Sequence, residues 1–329
     1  MKILIASSVC PKAIERLREQ HDVLCAFGAK EAVLKSLIKD REVLVCRSGV
    51  RITAEVLECA TELKLLVRAG SGTDNVDVDY LSERGIPFFR IAEPGAQAVA
   101  EMSFALMLAL ARNLMRADYL TRKGRWAKEE LIGTSLTGKV LGIVGAGNIG
   151  TRVGELGAAW GMRPIGCVES PTPTIGAELR GKGIQLATFD EVVSQADFLS
   201  IHVPLSDSTH KLIGAAVFSR MKVGAFLINL ARGGVVDEKA LYEELTEGSR
   251  LRGAALDVHE AEGEGKISPL AALANVILTP HIGAMTSDAQ SEIGRQVIAI
   301  IDSFTASYPV LTGQESVLSF GFYHEGLAG

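Results

Sequence analysis

Short aliphatic runs alternate with amphipathic stretches from one end of the chain to the other, and this rhythm constrains the fold more than any other feature. Residues 2–6, 22–26, 42–46 and 64–68 are compact runs rich in Val, Ile and Leu. Between them, 11–19, 30–38 and 53–59 place apolar residues at three- and four-residue spacing. Runs of the first kind read as strands buried on both faces, and the second as helices with one apolar stripe. Strand, helix, strand in this order predicts a parallel sheet with right-handed crossovers. Pro11 suits the first turn of its helix, and Gly28 and Gly49 stand where turns are needed.

A second series of the same kind begins near Lys139. Its expected strands are 140–144, 163–168, 184–187, 198–203, 225–230, 253–258 and 276–279, with helices such as 148–160 and 237–247 between them. The stretch 97–123 reads as one long helix, apolar on most faces, buried between domains or against a second subunit. The helical segment 289–304 returns to the first series, which makes the second series an insertion. The expected α/β architecture is two domains with parallel sheets and an active-site cleft between them: 1–97 plus 286–329, and 98–285.

Composition agrees with this layout. At roughly 150 residues per domain, 329 residues predict about two domains. Aromatics are only 5%, so the core is aliphatic, as parallel sheets require. A net charge of −5 provides no basic excess for nucleic acid. Cys10, Cys25, Cys46, Cys59 and Cys167 are widely spaced and form no metal-ligand pattern, which suits free thiols in a reducing cytoplasm. The first residues are too short an apolar run for a signal peptide, and the longest uninterrupted apolar stretch, 104–111, falls short of the ~20 residues that span a bilayer. A cytoplasmic protein with no membrane partner is expected.

The chemistry is carried by strand ends of the second series. Gly145, Gly147 and Gly150 form a G-x-G-x-x-G directly after the strand 140–144 and open a helical pattern, the arrangement of a dinucleotide-binding turn. Glu169, at the end of the next strand, is placed to accept from ribose hydroxyls and to repel a 2′-phosphate, which favours NAD over NADP. Two G-x-x-x-x-G-K segments, starting at Gly133 and Gly176, lack the Ser or Thr that would hold Mg²⁺. There is no G-x-S-x-G elbow, and His259-Glu260 has no second His at metal-ligand spacing, so hydrolase and metal readings fail. Arg232, Glu262 and His281 each follow a different expected strand, on the edge where ligands bind in open α/β sheets. An anchor for a carboxylate, an acid/base and a carboxylate to orient it are what hydride transfer to a 2-oxo acid requires.

Taken together, the stretches 67–77 (VRAGSGTDNVD), 144–150 (VGAGNIG), 202–205 (HVPL), 229–237 (NLARGGVVD), 255–258 (ALDV) and 279–284 (TPHIGA) resemble the D-isomer-specific 2-hydroxyacid dehydrogenase family. The likeness is greatest to its D-3-phosphoglycerate dehydrogenase branch, in a short form without a regulatory domain. The resemblance implies two domains, Rossmann-like and flavodoxin-like, that bind NAD and a small 2-hydroxy acid. It implies that Arg232 binds the substrate carboxylate, that His281 is the acid/base, and that Glu262 holds its ring and raises its pKa. Asn148 and Ile149 would offer backbone donors to the pyrophosphate. Val203, Pro204, Thr209, Leu230, Ala231, Gly283 and Ala284 would line the cofactor site, with Asp257 on the carboxamide. Arg47, Ser48, Ser71 and Gly72 match loops that reach the substrate. The apolar stretch 97–123 leads to the expectation of a homodimer through it.

The chain also departs from the family pattern. His259 replaces the usual aromatic, Gly263 replaces the Pro after the catalytic Glu, and 248–252 is one residue longer. Counting from Gly150, Val168 takes the usual ribose-Asp position, one residue before Glu169. The main expectation is a D-3-phosphoglycerate-like substrate. Its rivals are a glyoxylate or hydroxypyruvate reductase, a dehydrogenase of a sulfo- or phospho-analogue acid, and an NAD(H)-sensing corepressor-like binding protein.

Overall fold

The structure, a computed structural model, describes residues 1–311. Two compact units form, one from Met1–Gly95 with the segment from Met285 onward, the other from Ala96–Ala284.

The first unit holds β1 (Lys2–Ile5), β2 (Asp22–Cys25), β3 (Val43–Cys46), β4 (Leu65–Arg68) and β5 (Phe88–Arg90), all parallel, in the order β2-β1-β3-β4-β5. Both faces are covered, as their unbroken aliphatic runs require. Ile3, Ile5, Val43 and Val45 pack with Ile14 and Leu17 of the helix Pro11–Arg18 and with Ile293, Val297 and Ile301 of Ser287–Leu311. Leu4, Leu44 and Leu66 pack on the opposite face with Leu34, Val56 and Leu81. Strand β5 is a three-residue edge strand that the periodicity did not single out.

The second unit holds β6 (Val140–Val144), β7 (Arg163–Cys167), β8 (Gln185–Leu186), β9 (Phe198–Ile201), β10 (Ala225–Asn229), β11 (Leu251–Leu256) and β12 (Val276–Leu278). They form one parallel sheet in the order β12-β11-β10-β9-β6-β7-β8. Strand order reverses between β6 and β9, which opens a crevice at the C-terminal strand ends.

The expected helix across 97–123 is instead two. Glu93–Ala111 and Leu114–Arg122 are separated at Asn113, whose φ of 51° is left-handed. The first helix packs Phe104, Met107 and Leu110 into the core of the second unit. Contrary to the expectation from uninterrupted apolar runs, this 19-residue helix is long and apolar enough to cross a membrane by length and composition, with 67% of the window buried inside the structure. All five cysteines are free. Burial pushes the Cys46 thiol up to about 12, against the opposing charge of Arg68, so it stays protonated.

Strand β9 ends at Ile201, two residues before the expected end, and His202 turns inward. Its Nε2 lies 2.8 Å from Ser200 Oγ, while its Nδ1 is buried without a partner. Burial holds the ring's pKa down at about 3. The unfolded ring takes up a proton near pH 6.5 and the folded one does not, so this residue's stability contribution is complete above about pH 6.5 and is lost as pH falls towards 3. The slope for one site is about 1.4 kcal/mol per pH unit. Urea unfolding between pH 4 and 7 should show this slope flattened by about one proton in His202→Gln. Parallel pH profiles for the two proteins would exclude His202 as the source.

Candidate active site

The glycine turn is built by close backbone approach. Gly145 has a φ of 92°, and a Cβ there would sit 2.8 Å from the His202 carbonyl oxygen and 2.9 Å from Val203 Cγ1. A Cβ on Gly150 would overlap the Gly145 carbonyl, so the helix Asn148–Ala159 packs this tightly only with Gly in its first turn. Gly147 differs, since a Cβ on it would meet nothing within 4 Å and no side chain caps the helix start. The uncapped N-terminus therefore faces open space, with its positive dipole end presented to an anion. Past β7, Val168 packs against the core while Glu169 is exposed, so Glu169 is the carboxylate available at that strand end. These residues fit NAD: a bare helix start for pyrophosphate, an acid for ribose, and a charge that opposes a 2′-phosphate.

The side chains of other expected cofactor residues serve the protein's own packing and loops. Ile149 is half-buried and packs on the core. The Thr209 hydroxyl donates to the Pro204 carbonyl at 2.6 Å and accepts from the Ser206 N–H at 2.8 Å, so it closes the 204–209 loop rather than offering a free polar group. Leu230 and Ala231 are buried. Asp257 is only 1% exposed and is turned into the protein. Its Oδ1 accepts from the Thr279 hydroxyl at 2.6 Å and the Ile282 N–H at 2.9 Å, and its Oδ2 accepts from the Gly283 N–H at 2.7 Å. In this structure the Asp257 carboxylate organises the 279–283 turn, a role the sequence pattern did not reveal.

The three candidate chemical groups lie on the loops after β10, β11 and β12. Asn229, buried at the end of β10, accepts from the Ala231 N–H at 3.0 Å and donates to the Arg232 carbonyl at 3.1 Å, which folds the loop back so that Arg232 emerges from it. The Arg232 guanidinium donates to the Ala231 carbonyl at 2.7 Å. A Cβ on Gly233 would overlap the His259 carbonyl, so the Arg232 loop lies directly against the backbone of the loop that carries Glu262. That loop is held in turn by reciprocal bonds: the Glu260 N–H to Glu238 Oε1 at 2.7 Å, and the Glu238 N–H to Glu260 Oε1 at 3.1 Å.

His281 and Glu262 meet. His281 Nδ1 lies 3.0 Å from Glu262 Oε2, and both side chains keep about a third or more of their surface exposed, 32% and 41%. His281 is left-handed at a φ of 55°, a conformation that non-glycine residues adopt at a cost and that concentrates at functional sites. Burial raises the pKa of Glu262, but the His281 hydrogen bond and charge, with the His259 N–H, outweigh it and hold the carboxyl below its usual range. An ionised Glu262 only accepts, so the Nδ1 facing it carries a proton and Nε2 is left for other chemistry.

In the first unit, the Arg47 backbone N–H donates to Ser7 Oγ at 3.0 Å, and its guanidinium donates to Gln290 Oε1 at 2.5 Å. Burial pulls the guanidinium pKa down. Ser48 is exposed, Gly72 is half-buried, and the Ser71 hydroxyl donates to the Ala92 carbonyl at 3.3 Å. Buried Asn75, noted in the sequence only as part of a motif, ties these loops together. It donates to the Arg47 and Val50 carbonyls at 2.8 and 2.6 Å and accepts from Arg68 Nε at 3.2 Å.

The model for the D-isomer specific 2-hydroxyacid dehydrogenase NAD-binding domain matches residues 104–283. The chain is 42% identical over 296 residues to the D-3-phosphoglycerate dehydrogenase of Methanocaldococcus jannaschii, covering 89% of this chain and 55% of that one. It is 38% identical over 283 residues to the hydroxypyruvate reductase of Thermotoga maritima, covering 85% and 90%. The chain thus spans about half the length of the phosphoglycerate dehydrogenase and nearly all of the reductase. The D-lactate dehydrogenase of Aquifex aeolicus, solved with NAD and lactic acid, superposes with a TM-score of 0.84 at 29% identity, covering 94% of this chain and 97% of that one. With its glycine turn, its facing His281–Glu262 pair and Arg232 on the adjoining loop, the chain belongs to the D-isomer specific 2-hydroxyacid dehydrogenase family and carries that family's NAD-binding domain.

Proposed function

We propose that this protein is an NAD-dependent oxidoreductase of a small 2-hydroxy or 2-oxo acid. The observation that carries the reading is the His281–Glu262 contact at 3.0 Å, on a loop next to the one that presents Arg232. When bound, NAD accepts or supplies the hydride. Arg232 holds the substrate carboxylate by its fork of N–H donors and, as a fixed positive charge, favours the developing charge on the neighbouring oxygen. His281, its Nδ1 kept on Glu262, donates from Nε2 to the oxo oxygen in reduction and accepts the hydroxyl proton there in oxidation. Glu262 supports the imidazolium that one half of this cycle requires.

For the substrate, we assign a D-3-phosphoglycerate-like acid whose distal anion is taken by Arg47, with Ser48, Ser71 and Gly72 on neighbouring loops. A partly desolvated guanidinium gains most from such an anion. Hydroxypyruvate or glyoxylate reduction is the second reading, favoured by the near-full coverage of the Thermotoga reductase. We also infer a homodimer, because Leu114, Met115, Tyr119, Trp126 and Ile132 are more than half exposed on and after the helix Leu114–Arg122. An apolar surface of this kind marks a protein interface.

Three measurements test these readings. His281→Ala should lose ~10²–10⁴ in kcat for NADH-dependent reduction of 2-oxo acids with little change in NADH affinity, and Glu262→Gln should follow it in the same direction. Unchanged turnover in His281→Ala would remove it from the mechanism. Arg232→Ala should collapse kcat/KM for every acid tested, and wild-type kinetics would exclude it as the anchor. Sedimentation should give twice the 35.0 kDa monomer mass, shifting towards the monomer in Tyr119→Arg, and a monomeric wild type would refute the dimer.

A further inference from the structure

We infer that His259 is a positioning residue for the Glu262–His281 pair, its ring closing a hydrogen-bonded circuit that joins the loops after β11 and β12. The inference takes the role of the pair from the proposed function, whereas the circuit stands on geometry alone. It starts at the His259 backbone N–H, which donates to Glu262 Oε1 at 3.1 Å. Glu262 Oε2 meets His281 Nδ1 at 3.0 Å. The His281 backbone N–H reaches the Thr279 carbonyl at 3.1 Å and the Asp257 carbonyl at 2.7 Å. The Thr279 carbonyl, finally, faces His259 Nε2 at 2.9 Å. One residue therefore holds both ends: its backbone fixes the acid, and its side chain fixes the turn that carries the imidazole.

Chemistry settles the direction of the last bond. A carbonyl only accepts, so His259 Nε2 carries the proton and Nδ1 is the bare nitrogen, which is buried and has no partner among the described residues. A phenyl ring in its place would fill the space but has no donor for the Thr279 carbonyl. The charged groups around the ring are already committed. Asp257 is spent on Thr279, Ile282 and Gly283, and Glu260 is turned to the Glu238 backbone. The third loop is bound in as well, since Gly233 lies against the His259 carbonyl. His259 thus sits where the loops of Arg232, Glu262 and His281 touch.

The test compares His259→Phe, which keeps a ring without a donor, with His259→Gln, whose amide nitrogen falls where Nε2 stands, and His259→Asn, whose amide falls where Nδ1 stands. In His259→Phe and His259→Asn, kcat should fall about tenfold, the worth of one hydrogen bond, with the NADH dissociation constant unchanged by fluorescence titration. The His281 titration midpoint, read by NMR of ¹³C-labelled histidine, should move to lower pH as Glu262 loosens its hold on the imidazolium. His259→Gln should keep both close to wild type. A His281 midpoint in His259→Phe equal to that of the wild type overturns the proposal, and should the Phe variant not fold, His259→Asn against His259→Gln decides in the same way. A wild-type protein that turns over none of the 2-oxo acids overturns the reaction reading alone, because the NMR midpoint needs no substrate.

Discussion

Both oxygens of the Asp257 carboxylate are spent on one turn, and the placement of His281 depends on them. A left-handed histidine is held only where its surroundings over-determine it, since that conformation costs of order 1–3 kcal/mol. Here the Thr279 hydroxyl and the Ile282 and Gly283 N–H groups converge on a side chain that is 1% exposed. Donors and acceptor are mutually dependent, because an unpaired buried polar group costs about 1–3 kcal/mol. Shielded from water, the carboxylate acts as a fixed template, and the imidazole rides on it at the distance from Glu262 that a proton carrier needs.

The same logic of approach without side chains recurs around the crevice. Gly145 lets the β6 turn lie on the β9 exit, Gly150 lets the helix start lie on that turn, and Gly233 lets the Arg232 loop lie on the Glu262 loop. The first and third of these contacts bring together loops from different strands, which is what assembling a site from residues far apart in sequence demands. Parallel strands all deliver their C-terminal ends to one edge, and the reversal of order between β6 and β9 keeps the crevice there open.

Much of this is legible in the residues. Strands such as β3 and β6 are buried on both faces, so their apolar runs are unbroken and their positions follow directly. Strand β5 escaped because a three-residue edge strand carries too little periodicity. The break at Asn113 escaped because the apolar pattern continues through it and only the backbone conformation changes. In the site, Arg232, Glu262 and His281 could be picked out because a charged group after a strand end has few structural reasons to be there. Asn229 and Asn75 were not, and Asp257 was read only as a partner of the carboxamide, because a polar residue that serves the backbone looks no different in sequence from one that serves a ligand. The same holds for Thr209, whose hydroxyl is consumed by its own loop.

The discontinuity of the first unit has an outcome for how the protein is made. One face of its sheet is finished only by Ile293, Val297 and Ile301, which belong to the helix Ser287–Leu311. A ribosome adding about 5–20 residues per second needs on the order of ten seconds or more to reach that helix after the strands have emerged. Through that interval Ile3, Ile5, Val43 and Val45 have only the helix Pro11–Arg18 for part of their cover, while the intervening unit has all its strands in hand and can close first. The nascent N-terminal strands are thus the part of the chain with most to gain from a chaperone.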